Sequence, residues 1–165
     1  MILYHGSNTL VEAVDLSRCR PNKDFGQGFY LTPDKSAAEK MALRTVRRFG
    51  GTSFLMMYDF DETQSGNIAQ KVFEAPSVEW AMFVMANRRA DVDAQDHNLD
   101  NRYDVVVGPV ANDDLALLFR QFSRGLLTVE MLMREMQFKR LTTQYSFHTQ
   151  CAISLLRLVE VNHVG

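Results

Sequence analysis

Three short runs of this chain carry residue types suited to chemistry. The first is Tyr4-His5-Gly6-Ser7. The second, about twenty residues later, is Gly26-Gln27-Gly28-Phe29-Tyr30-Leu31-Thr32, and the third is Thr143-Gln144-Tyr145-Ser146-Phe147. A glycine directly after a histidine lets a ligand come close to the main chain, because no Cβ stands in the way. The N–H and C=O exposed there can pair with a planar amide. Histidine and tyrosine add hydrogen-bonding and ring surface, and Gln144 offers an amide dipole without a proton-accepting charge. Taken singly, each has a bland reading: a satisfied turn histidine, a packed strand tyrosine, a strand-edge glutamine in solvent.

Other chemistries find little footing. His5, His97, His148 and His163 have no metal-ligand spacing, and neither Cys19 nor Cys151 has a zinc-pattern partner, so no metal is expected. The acidic loop of Asp93, Asp96 and Asp100 lacks the glutamate that closes a calcium loop. His148 and Cys151 read as a strand end and a helix start rather than a nucleophilic pair. Gly26-Gln27-Gly28 lacks the third glycine of a dinucleotide fingerprint.

The elements that must position these residues can be read from pattern. Met1–His5 is a strand, Gly26–Gly28 a turn, and Phe29–Thr32 a buried strand ended by Pro33. Asp34 or Ser36 caps a helix over Ala37–Arg48. Thr52–Phe60 is a strand, Gly66-Asn67 a loop, and Ser77 starts an amphipathic helix to about Arg89. Residues 90–101 form a polar loop. Tyr103–Gly108 is a buried strand ended by Pro109, and Asp113 or Asp114 opens a helix over Leu115–Phe122. Gly125 separates it from a helix over Thr128–Arg140. A strand over Gln144–His148, a short helix over Cys151–Leu156 capped by Thr149, and a last strand at Leu158–Val161 complete the chain. Strands interrupted by helices at uneven spacing predict a mixed α+β domain spanning residues 1–165.

Composition sets the bounds. The chain has 165 residues, 46% hydrophobic and 23% charged, with a net charge of −2, which is ordinary for one globular domain. Arg44, Arg47 and Arg48 cluster, and the reading favoured from sequence is a solvated helix face. Two isolated cysteines fit a reducing cytoplasm. No signal peptide and no apolar run of membrane-spanning length is seen.

The first two runs resemble the nicotinamide-site motifs of ADP-ribosyltransferases, in the branch of the poly-ADP-ribose polymerases and diphtheria toxin. Asp24–Thr32, Glu79-Trp80 with Asn87-Arg88, Tyr103–Val110 and Gln144–Phe147 are also similar to a bacterial ADP-ribosyltransferase-like family of no known function. The resemblance implies a split pair of mixed sheets with helices around them, and NAD as substrate, without metal. His5, Gly6, Ser7, Gly26, Gly28, Tyr30 and Thr32 become its binding residues, with His5, Tyr30 and Gln144 as the catalytic set. It places His5, Gly6 and Tyr30 in one cleft, with the Gly6 main chain on the carboxamide, His5 on the adenine-side ribose and Tyr30 on the nicotinamide ring. The polymerases carry a glutamate where Gln144 stands. An amide cannot act as a base, so single-unit transfer is expected rather than chains. Their second stacking aromatic falls on Glu39, following Ser36-Ala37; Tyr145 or Phe29 are the other rings to hand. The implied activity is mono-ADP-ribosylation of a protein or nucleic acid, in a toxin with a small antitoxin partner. A weak or inactive NAD-, ADP-ribose- or partner-binding module stands as the alternative. An RNA-directed relative of the tRNA 2′-phosphotransferases is least favoured, given the net charge.

Overall fold

The computed structural model describes residues 1–165 as four layers: a helix, a sheet, a second sheet, and a helical layer. The first sheet orders β1 (Ile2–Ser7), β3 (Phe54–Phe60) and β7 (Leu156–His163), all antiparallel. The second orders β2 (Phe29–Leu31), β6 (Thr143–Phe147), β5 (Val105–Pro109) and β4 (Gln70–Val72), with β4 parallel to β5 and the other pairs antiparallel. The protein is thus a mixed α+β fold with two sheets and several helices. No helix is long and apolar enough to cross a membrane.

Strand alternation builds two cores. Leu3, Phe29, Leu31, Met56, Val105, Val107 and Phe147 meet between the sheets. The alternate residue of β5, Val106, points the other way, into a second core. There it meets Trp80, Phe83 and Val84 of α2 (Val78–Arg89), Leu115 and Phe119 of α3 (Asp113–Ser123), and Leu132 and Met136 of α4 (Val129–Gln137).

Helix α1 (Lys35–Phe49) covers the outer face of the first sheet and explains Gly6. Asp34 caps it by accepting the Ala37 N–H, and Ala38 and Ala42 are buried. A Cβ on Gly6 would fall 1.9 Å from the Ala38 carbonyl oxygen. The missing side chain at Gly6 therefore admits a helix, not a ligand, which corrects the expectation from sequence.

Several boundaries also differ from the pattern. Asn112, not Asp113 or Asp114, caps α3, its side chain accepting the Leu115 N–H. Helix α4 stops at Gln137, and α5 (Gln150–Ile153) is shorter than expected while β7 is longer. Strand β4 had no sequence signal: Gln70-Lys71-Val72 is too short and polar, and its parallel pairing with β5 defines it.

Gly6→Ala is expected to destabilise the fold by about 3 kcal/mol or more, the scale of severe overpacking against main chain. Denaturant unfolding measures it; a loss under 1 kcal/mol would show that α1 can move aside.

Candidate functional site

The two sheets are joined along their strands at one place. Tyr4 and Thr32 exchange both main-chain hydrogen bonds, at 2.8 and 2.9 Å. Beyond that bridge β1 and β2 part. Met1 and Phe60 form a hydrogen-bonded pair across β1 and β3, so alternation makes Leu3, His5 and Ser7 the bonded positions toward β3. Gly6, opposite Leu55, is in a non-bonded pair. Its N–H and C=O therefore aim at the gap between β1 and β2, as those of Tyr4 do. On the far side of the gap, Tyr30 aims its own N–H and C=O back, since Phe29 and Leu31 bond to β6 by the same rule.

His5 lies in this gap. Its ring packs on Phe29, with centroids 4.5 Å apart, and its Nδ1 sits 2.7 Å from the Tyr30 carbonyl oxygen. A carbonyl only accepts, so Nδ1 carries the proton and donates, and Nε2 is left with a bare lone pair. Burial holds the imidazole pKa below its ordinary value, partly offset by the bond to Tyr30, so the ring is neutral at pH 7.

Tyr30 does not share that space. Phe29 belongs to the core between the sheets, whereas Tyr30 packs on the opposite face of β2 against the helical layer. Its hydroxyl donates to the Gly26 carbonyl at 2.7 Å and accepts the Phe25 N–H at 3.0 Å. The expected single cleft holding the His5 and Tyr30 rings is replaced by two faces of one strand, linked through the Tyr30 main chain. The other predicted residues serve locally. Gly26 has φ of +94°, and a Cβ there would press on Asn98; a Cβ on Gly28 would lie 2.6 Å from His148 Nδ1. Thr32 Oγ1 donates to the Thr143 carbonyl and accepts the Asp34 N–H. Ser7 Oγ accepts the Thr9 N–H. Phe29 is buried in the inter-sheet core and Tyr145 packs against it, while Glu39 pairs with Lys35.

Gln144 is buried on the Tyr30 face of the second sheet, in a network that sequence reading missed. Its Nε2 donates to Asp24 Oδ2 at 2.8 Å and to the Pro109 carbonyl at 3.3 Å. Both partners only accept, which fixes the amide orientation and leaves Oε1 as an acceptor. Asp24 also takes Arg88 on Oδ1 and the Ala111 N–H on Oδ2. Arg88 donates in addition to the Ala111 carbonyl. Asp24, Arg88, Pro109 and Gln144, from four separate runs, thus meet around one carboxylate. Asp24, Arg88 and Gln144 stand in runs that the sequence singled out, but no local pattern pairs residues so far apart.

Beside it, His148 Nδ1 donates to the Gln27 carbonyl at 2.8 Å, and Nε2 accepts the Ser146 hydroxyl at 2.8 Å. Ser146 is fully buried, so this pair has no access to a substrate. No three His, Cys, Asp or Glu side chains gather as a metal site. Two open hollows lie elsewhere. One of about 570 Å³ runs beside α1 past Lys35, Glu39 and Leu55 to the end of β7. The other, of about 270 Å³, lies against Val14, Tyr58 and Ile153. The site is thus defined by an unpaired strand edge rather than a deep pocket.

Comparison with known families matches residues 1–158 to DUF3990, a family described as a protein of unknown function. The match covers nearly the whole chain, and the protein belongs to this family. No curated protein and no solved structure matches it.

Two outcomes follow from the buried network. Burial pushes the His148 pKa from 6.5 down to about 4. Between those values the unfolded chain binds a proton that the folded chain refuses, so stability present above pH 6.5 is lost as the pH falls toward 4. The loss is about 3 kcal/mol, with His5 adding in the same direction. Unfolding at several pH values checks it, and a flat profile across that window would contradict it. Gln144→Glu sets a second carboxylate against Asp24 and should cost about 2 kcal/mol at pH 7, shrinking as the pH drops below 5. Gln144→Glu at wild-type stability would show that the contact is not maintained.

Proposed function

We propose that this DUF3990 member handles NAD as an ADP-ribosyltransferase, transferring a single ADP-ribose to a protein or nucleic-acid acceptor. The observation that carries the reading is the unpaired Gly6 edge beside the neutral His5 ring. A primary carboxamide offers one donor and one acceptor in a plane. It can complete the Gly6 N–H and C=O as another strand would. His5 Nε2, held as an acceptor by the bond from Nδ1 to Tyr30, suits a ribose hydroxyl. In the reaction the glycosidic C–N bond breaks, nicotinamide leaves with the electron pair, and an acceptor oxygen or nitrogen attacks the ribose carbon and gives up its proton. A role as a toxin restrained by a small antitoxin is compatible with this chemistry.

A second reading has its own observation. Gln144 and Tyr30 project from the face opposite His5, and both N–H groups of Gln144 are spent on Asp24 and Pro109. A module that binds NAD or ADP-ribose without turning it over would need neither residue at the ribose.

Calorimetry with NAD and an assay of nicotinamide release separate the two. On the transferase reading, wild type releases nicotinamide and His5→Ala binds NAD about fivefold more weakly, the loss of one hydrogen bond. Binding without release supports the module. No NAD binding by the folded wild type refutes both.

A further inference from the structure

Charge in this chain is segregated. Residues 16–50 hold eight Lys and Arg against three Asp and Glu, while the rest holds ten against seventeen. The net charge of −2 therefore conceals a basic region. Lys40, Arg44, Arg47 and Arg48 stand three and four residues apart and form one exposed stripe of α1. None of the four forms an ion pair, although carboxylates pair with cations elsewhere on the surface. The stripe ends at Phe49, whose side chain is 51% exposed. A separate segment completes it: the Arg20 guanidinium lies 4.7 Å from the Phe49 ring centroid, and that of Arg48 lies 5.1 Å away. Lys23 continues the track, its ammonium 5.4 Å over the Tyr30 ring. The sequence reading of this cluster as a solvated helix face did not include Arg20, Lys23 or Phe49.

We propose that this track binds single-stranded nucleic acid, with the phosphates along the α1 stripe and a base on the Phe49–Arg20 platform. Phosphate needs cations free of competing carboxylates. Unstacked bases need exposed planar groups, and an aromatic ring flanked by guanidinium groups supplies them. A duplex keeps its bases stacked and gains nothing from Phe49. Lys23 carries the track to the Tyr30 ring, on the helical-layer face of β2; the Tyr30 main chain borders the β1–β2 gap, which brings the strand beside the proposed NAD site. Only that last role, as ADP-ribose acceptor, rests on the transferase reading; binding itself does not.

The test is fluorescence anisotropy without NAD, using labelled oligouridylate and oligothymidylate of about 12 nucleotides, a duplex of equal length, and anionic phosphatidylserine vesicles. The logarithm of the affinity should fall linearly with log salt, with a slope near −0.7 per phosphate neutralised. The doubly reversed variant Arg44→Glu with Arg48→Glu should bind about tenfold or more weakly while keeping the wild-type circular dichroism spectrum. Phe49→Ala should lose about fivefold on single strands and nothing on the duplex. No binding at about 50 mM salt, equal affinity in the reversed variant, or preference for duplex or vesicles would overturn the proposal. Because NAD is absent, failure here leaves the transferase reading to its own assay.

Discussion

The two sheets meet along their strands through a single hydrogen-bonded pair, Tyr4 with Thr32. One pair is enough to fix register, since it sets which residues of β1 and β2 aim main-chain groups at each other. It is too little to close the edges. Beyond the bridge the strands are no longer paired, and the His5 imidazole takes the Tyr30 carbonyl for itself. Gly6 is left as the next position in line. The helix α1 also depends on this residue, because only a glycine admits the Ala38 main chain. The same residue thus seats a helix with its missing side chain and offers a strand edge with its main chain.

The second constraint is the Asp24 carboxylate. A buried charge is costly unless paired and fully hydrogen-bonded. Asp24 meets this condition by drawing in Arg88 from α2, the Ala111 N–H after β5, and Gln144 from β6. The loop before β2 is thereby fixed against three other elements. Tyr30 ties down the neighbouring Phe25 and Gly26 from beneath. In this setting Gln144 is fixed by structural demands. A carboxylate at its position would face Asp24, so the amide is the side chain this network accepts.

Much of the architecture was legible in the sequence. Ser77 and Thr149 cap helices as pattern suggested, and the buried run at Val105–Val107 forms a central strand. Those signals are local. What stayed hidden was not local: β4 exists through its parallel neighbour, and the Asp24 network joins residues up to 120 positions apart. Glycines were read for ligands when their φ angle and the packing of Ala38, Asn98 and His148 account for them. Strand periodicity could have separated the faces of Phe29 and Tyr30, but not which face His5 would take. The basic track was half visible, because Arg20 and Phe49 meet only in three dimensions.

The central claim, that the Gly6 edge receives a carboxamide, is tested most directly by a crystal structure with nicotinamide bound. The account predicts the carboxamide in the plane of β1, its NH2 donating to the Gly6 carbonyl and its oxygen accepting the Gly6 N–H, with both distances near 2.9 Å. Nicotinamide seated only in the hollow beside Glu39 and Leu55, with the Gly6 edge untouched, would contradict it.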